Sequence, residues 1–245
     1  MGGDPRWITP DWPAPTRVRA ASSLRAGGVS SGSYASLNLA THVGDDPLAV
    51  RENRDRLARA LRLPAEPGWL NQTHGLRVID LDADPGRDGD GALSRRPGTV
   101  AVVMTADCLP VLFCNDSASV VAAAHAGWRG LAGGILEQAV QAMAVPAESV
   151  MAWLGPAIGP QRFEVGEEVR AAFVDGLPET EQAFVAGRPG HWLCDLYRLA
   201  RLHLRRVGVE RVYGGGRCTF SEDGDFFSYR RDPRCGRQAS LIWLD

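Results

Sequence analysis

The sequence predicts a single α+β domain of layered sheets and helices, and three observations predict it. Three short apolar runs, residues 100–104, 109–114 and 120–124, follow one another between turn residues, as strands buried on both faces do. Helix-period segments lie before and after them in irregular order, not in strict strand–helix alternation, which favours α+β layers. The chain has 245 residues of which 44% are hydrophobic, enough for a sizeable core, with no internal repeat and no linker long enough to divide it. Residues 1–16, rich in Pro and Trp, are expected to lie extended ahead of one domain spanning 17–245.

In order along the chain, residues 27–34 (GGVSSGSY) read as a flexible turn. Asp46 then caps a helix that Pro47 opens, with Leu57 and Leu61 on its buried stripe and an end near Leu63; Arg51, Arg54 and Arg62 fall largely off that stripe. Residues 75–81 alternate as a strand. Residues 82–97, full of Asp, Gly and Pro, read as an exposed loop, whose acidic residues lack the spacing and closing Glu of a calcium loop. After the three apolar runs, Leu131, Ile135, Ala139 and Met143 repeat every four residues as one helix. A strand at 150–154, a rigid loop at 155–160 and a helix at 164–174 follow. Asp195 caps a further helix with the stripe Leu196, Leu199, Ala200, His203 and Val207, stopped by Gly208. Residues 226–229 and 239–244 close the chain as strands.

Composition excludes several functions. The net charge of −2 gives no case for a protein that coats nucleic acid or membrane. All 27 basic residues counted as Lys or Arg are Arg, which removes Schiff-base lysine chemistry and the lysine-bearing phosphate loop. Arg is left to hold anions, and its planar fork suits phosphate. Five scattered Cys suggest free thiols in a reducing compartment. Neither a signal peptide nor a membrane-length apolar run is visible, so a cytoplasmic protein is expected.

The chemistry-bearing residues cluster around 99–134. Cys108 ends one apolar run and His125 another, while His74 sits upstream in NQTHG, 71–75. Two imidazoles and a thiolate are a donor set for zinc, copper and similar borderline metals, not magnesium or calcium. Three ligands leave a coordination position open, as catalytic zinc sites do. Each residue alone has a plainer reading: a surface His, an inert buried thiol. Asp107, beside Cys108, is a candidate to orient a ligand or to carry protons, and Met104 reads as core. After His125, the stretch AGWRGL offers an anion site at a helix start, with Arg129 as fixed charge and Trp128 as a stacking surface; a tight turn is the plainer reading of its glycines. At the C-terminus, residues 217–219 and 226–232 pack aromatic and basic residues together, suited to a nucleoside-sized ligand or to structural packing.

These blocks, with GPAIGP (155–160), GVS (28–30), SLNL (36–39), HVGDDP (42–47), Asn53-Arg54, FEVG (163–166) and FSYRRD (227–232), resemble the YfiH family, also called the polyphenol oxidase or laccase-domain family. The likeness spans residues 12–245; Ser22-Ser23-Leu24-Arg25 departs from the family's usual Thr-Thr-Arg start to the glycine turn. The resemblance implies a four-layer α/β/β/α sandwich with mixed sheets and zinc on His74, Cys108 and His125. It implies phosphorolysis of adenosine, inosine, guanosine and methylthioadenosine, with adenosine deamination alongside. Arg54, Asn38 and Arg129 are the expected contacts to nucleoside and phosphate, and a monomer or small homo-oligomer is expected. Two other activities attach to the family: a copper-dependent polyphenol oxidase, and a hydrolase editing peptidoglycan precursors with Cys108 as nucleophile and His125 as base.

Overall fold

The computed structural model describes residues 3–245. In chain order the regular elements are β1 (Trp7–Ile8), β2 (Val18–Ser23), α1 (Pro47–Leu61), β3 (Val78–Asp80), β4 (Gly91–Ser94), β5 (Ala101–Thr105), β6 (Leu109–Asn115) and β7 (Val121–Ala126). There follow α2 (Trp128–Gly133), α3 (Ile135–Met143), β8 (Val150–Leu154), β9 (Glu164–Gly166), α4 (Glu167–Val174), β10 (Phe184–Ala186), β11 (His191–Cys194), α5 (Leu196–Arg206), β12 (Arg211–Gly214) and β13 (Gln238–Leu244). The fold class is α+β, with mixed and antiparallel sheets in one domain.

The largest sheet has the order β12-β8-β6-β7-β4-β3; its two outer pairs, β12/β8 and β3/β4, are parallel and the rest antiparallel. A second sheet runs β1-β2-β13-β5, all antiparallel, and a small third one runs β10-β11-β9. The pleat sorts side chains between cores. Along β6, Val111 and Phe113 face α3 and α5, while Leu112 and Cys114 face the second sheet. Along β13, Ile242 and Leu244 meet the large sheet, while Leu241 and Trp243 meet Leu57 of α1. Each fully buried Leu or Phe here contributes about 1.5–3 kcal/mol by leaving water. That is why β6 and β7 read as continuous apolar runs with no polar face.

Several local expectations hold. Asp46 accepts from Leu48 N at 2.9 Å with Pro47 first in α1, and Asp195 accepts from Arg198 N at 3.0 Å at the head of α5. Others need correction. The strand expected at 75–81 shrinks to β3, because Gly75 and Arg77 turn their backbones towards Asp90. The loop expected at 82–97 contains β4, wholly buried between β3 and β7; its small residues fit between neighbours, and the polar flanks hid a four-residue strand.

The helix expected from Leu131 is two helices. Gly134, at φ +100°, breaks it in a left-handed conformation that suits glycine, and both halves still lie on the large sheet, which preserves the four-residue repeat. The helix expected over 164–174 begins as β9, with Val165 paired to Trp192, before α4. Residues 226–229 form no strand. Phe226 and Phe227 are fully buried in an irregular stretch between turns, where the Gln238 amide bonds both Phe227 N (3.0 Å) and Phe227 O (3.3 Å) in place of a neighbouring strand. Within the N-terminal stretch, β1 pairs with Ser22 and Ser23 of β2.

Candidate metal centre

Three segments distant in sequence meet at one end of the large sheet. His125 is on β7, opposite Pro110 of β6. Cys108 is the residue before β6, half-buried. His74 stands on the loop before β3, exposed, with φ +61°. Their donor atoms lie within 4.8 Å of one another, with Cys108 Sγ 3.9 Å from His74 Nε2. The two imidazoles meet edge to face, centroids 4.7 Å apart at 78°.

What holds them is Asp90, just before β4 and fully buried. Its Oδ1 accepts from His125 Nδ1 at 2.8 Å and from His74 N at 2.9 Å. Its Oδ2 accepts from Gly75 N (2.7 Å), Thr73 N (3.1 Å) and Thr73 Oγ1 (3.2 Å). Its carbonyl takes His125 N at 2.7 Å. One carboxylate therefore sets the ring of one proposed ligand and the backbone of another, leaving His125 Nε2 for the donor cluster. Gln72 fastens the same loop to β5 through Met104 N (2.7 Å) and Met104 O (2.8 Å). Gly127 closes the other side. A Cβ there would lie 2.8 Å from His74 Cδ2 and 3.1 Å from Cys108 Sγ, so only glycine fits without moving the donors.

The electrostatics follow from this packing. Burial alone would raise the Asp90 carboxyl, but the hydrogen bonds from His125 and the Gly75 and Thr73 amides bring it down to about 2. Burial opposes the Cys108 thiolate too, yet the charge and hydrogen bond of His125, with help from His74, lower it to about 6. Burial disfavours the His125 imidazolium, and Cys108 and Asp90 outweigh it, raising His125 to about 9. Thiolate and imidazolium thus stabilise each other when no ion replaces the proton. By contrast Cys114 is pushed up to about 12 by burial, and Cys194 higher still. Two nitrogens and one sulfur, held from behind by a carboxylate, fit a borderline metal such as zinc or copper.

The cluster opens into a cleft of about 720 Å³. Apolar walls come from Ile158, Phe163 and Val165; His42, His191, Arg188, Arg230 and Arg237 add polar ones, with Glu164 and Glu168. Arg129 also lines the cleft, exposed, its guanidinium 4.4 Å over the Trp128 ring, which occupies one face of that indole. Asp107 reaches the cleft wall but orients no ligand. Its carboxylate accepts from Thr219 Oγ1 (2.6 Å), Ser228 Oγ (3.0 Å) and Arg230 N (2.6 Å), pinning the C-terminal aromatic-basic segment. That segment divides: Phe226 and Phe227 go to the core, while Tyr229, 55% exposed, faces the cleft.

Asn38 and Arg54 are not brought onto the wall. Asn38 is fully buried, its amide bonded to Ala40, Asp45 and Arg237 N. Arg54 donates to Leu39 O at 2.9 Å and stacks 3.9 Å over Trp69. The residue missed by sequence reasoning is Asp90. Its signal was the small-residue run GALS directly after it, which marks a strand and not a loop tip.

The chain matches, over residues 19–245, the family described as multi-copper polyphenol oxidoreductase laccase. It belongs to that laccase-domain family. Within the family, it is 54% identical over 239 residues to a purine nucleoside phosphorylase of Pseudomonas aeruginosa, covering 97% of this chain and 98% of that one. It is equally 54% identical, with the same coverage, to the purine nucleoside phosphorylase YfiH of Escherichia coli. Among solved structures, a protein of Neisseria meningitidis superposes with TM-score 0.94 at 51% identity, covering 98% of this chain and 99% of that one. YlmD from Geobacillus stearothermophilus gives 0.88 at 31% identity, covering 100% and 96%. No helix among the described residues is long and apolar enough to cross a membrane.

Proposed function

We propose that this laccase-domain protein is a zinc-dependent purine nucleoside phosphorylase acting on adenosine, inosine, guanosine and methylthioadenosine, with adenosine deamination in the same cleft. The observation that carries the reading is the His74–Cys108–His125 cluster opening into an arginine-lined cleft with an exposed tyrosine. Relatives at 54% identity named as purine nucleoside phosphorylases support it. His74, Cys108 and His125 would hold the ion, which supplies Lewis-acid polarisation when bound.

The chain's own residues do the rest. Phosphorolysis sets a phosphate anion against an oxocarbenium-like carbon, so positioning and fixed positive charge lower the barrier. Arginines supply that charge, and Tyr229 and the apolar wall suit a purine. Asp107 serves here as an anchor for Tyr229 and Arg230, since three donors already occupy its oxygens. A monomer or small homo-oligomer is part of the same reading. The four-layer reading of the fold is part of the same proposal, supported by apolar clusters between α1 and the second sheet, between the two sheets, and between the large sheet and α3 and α5.

The test is metal analysis of the purified chain, then release of hypoxanthine from inosine with and without phosphate. Phosphate-dependent release that disappears with the metal in His74→Ala and Cys108→Ala is expected. Full activity in both variants, or release indifferent to phosphate, would sink the reading. A coloured copper-loaded protein that oxidises phenols would favour the oxidase instead. A second reading has one specific observation behind it. Asp90, His125 and Cys108 stand in the order carboxylate, imidazole, thiolate, as in a cysteine hydrolase acting on peptidoglycan precursors. Hydrolysis of such a precursor by metal-free protein, blocked by alkylating Cys108, would favour it.

A further inference from the structure

We infer that inorganic phosphate docks on Arg237 in the cleft, with His42 beside it as a neutral hydrogen-bond donor and Arg54 behind them; this rests on the phosphorylase reading and assigns its second substrate. His42 and Arg237 both line the cleft. Partial burial lowers the affinity of His42 for its proton, and the nearby charges of Arg237 and then Arg54 lower it further, so a neutral imidazole stands near two guanidinium groups.

No carboxylate among the described residues is salt-bridged to either guanidinium, whereas Arg188 is paired with Glu164 at 2.9 Å and Arg217 with Asp225 at 2.9 Å. The carboxylate whose field reaches Arg54 is Glu66, and its Oε1 is taken by Trp69 Nε1 at 2.6 Å. The two guanidinium groups are left for an anion to complete, and the neutral imidazole can donate to it.

The site is also built in advance. Arg237 Nη1 donates to Cys235 O (2.9 Å) and Gly236 O (3.0 Å), and its backbone N donates to Asn38 Oδ1 (3.0 Å). Its Nε and Nη2 have no hydrogen-bond partner among the described residues, an edge that suits two phosphate oxygens. Arg54 is held by Leu39 O and Trp69 in a position from which only its field reaches the ligand. Asn38 then acts as a positioning residue through Arg237. The Tyr229 ring, 5.8 Å from the Arg237 guanidinium, lies alongside for the base. Arg188 is paired with Glu164, and Arg230, its Nη1 on Glu164 O at 2.9 Å and its guanidinium 5.4 Å from the Phe163 ring, stands on the β9 side of the cleft, away from His42 and Arg54.

The experiment titrates the full metal-loaded protein with inorganic phosphate by calorimetry, and measures the phosphate KM with inosine as co-substrate. Arg237→Gln is expected to weaken phosphate roughly 10- to 100-fold, the worth of charge-assisted hydrogen bonds, with metal content and the inosine KM unchanged. Arg237→Lys should recover part of the loss, His42→Gln should show a smaller one, and Arg188→Gln none. Wild-type phosphate affinity in both Arg237→Gln and His42→Gln overturns the assignment, as does a loss confined to Arg188→Gln. Tighter binding of a nucleoside monophosphate than of inorganic phosphate at Arg237 would also overturn it, giving the site to a nucleotide. Phosphate binding that needs Arg237, in a protein that cleaves no nucleoside, would leave the subsite standing and the phosphorylase reading refuted. Phosphorolysis with a phosphate KM indifferent to Arg237 would do the reverse.

Discussion

Two histidines in this molecule are built alike. His125 Nδ1 lies 2.8 Å from Asp90 Oδ1, and His203 Nδ1 lies 2.7 Å from Glu137 Oε1. Both rings are buried, at 3% and 4% exposure. They differ in what meets the other nitrogen. For His125 it is Cys108 and His74 at the mouth of a cleft. For His203, on α5 between α3 and the Phe173 ring, it is nothing: Nε2 and Glu137 Oε2 are buried with no hydrogen-bond partner among the described residues. An imidazole–carboxylate pair is thus only half of a metal centre. The other half is a second nitrogen, a sulfur and open space, and the fold supplies these to one pair and apolar packing to the other.

Changing the two carboxylates tests this contrast most strongly. Asp90→Asn should lower metal affinity or metal-dependent turnover by roughly 10- to 100-fold, because it loosens the His125 ring and puts an amide N–H against the backbone donors of 73–75. Glu137→Gln should change neither. Chelator competition on both variants checks this, and equal losses would erase the distinction.

A change of pH sharpens it. With His125 raised to about 9 and Cys108 lowered to about 6, the metal-free site at pH 7 carries an imidazolium and a thiolate. Metal entry must displace the His125 proton. Affinity should therefore climb roughly tenfold per pH unit up to about 9, and twice as steeply below about 6, where Cys108 is protonated as well. Metal titrations from pH 5 to 10 measure the slope, and a flat profile between 6 and 9 contradicts the pairing.

The smallest effect belongs to the other pair. His203→Ala should cost about 1–3 kcal/mol of stability by stranding Glu137, while the double change to Leu at 137 and 203 should cost less, since apolar groups replace both partners. Urea unfolding reads both. Metal content should follow neither variant.

Much of this was legible in the chain, for local reasons. Asp46 and Asp195 stand where a helix needs an acceptor, and 109–114 is apolar throughout because β6 is covered on both faces. His74, Cys108 and His125 stood out because their chemistry is rare beside apolar runs. What escaped was set by distant partners. β4 hid in a polar stretch because its partners, β3 and β7, include one that lies 30 residues on. Phe226 and Phe227 look like a strand but are held by one glutamine side chain.

Local sequence was enough for the donor types, the absence of lysine chemistry, the starts of α1 and α5 and the apolar runs of β5, β6 and β7, since each depends on residues within a few positions of one another. Folding alone put Asp90 behind His125 and His74, set Asn38 and Arg54 inside the protein behind the cleft, and brought Arg237, far along the chain from both, to the cleft wall with a free edge. Those outcomes depend on which strand ends a mixed sheet brings together, and local side-chain pattern does not encode that.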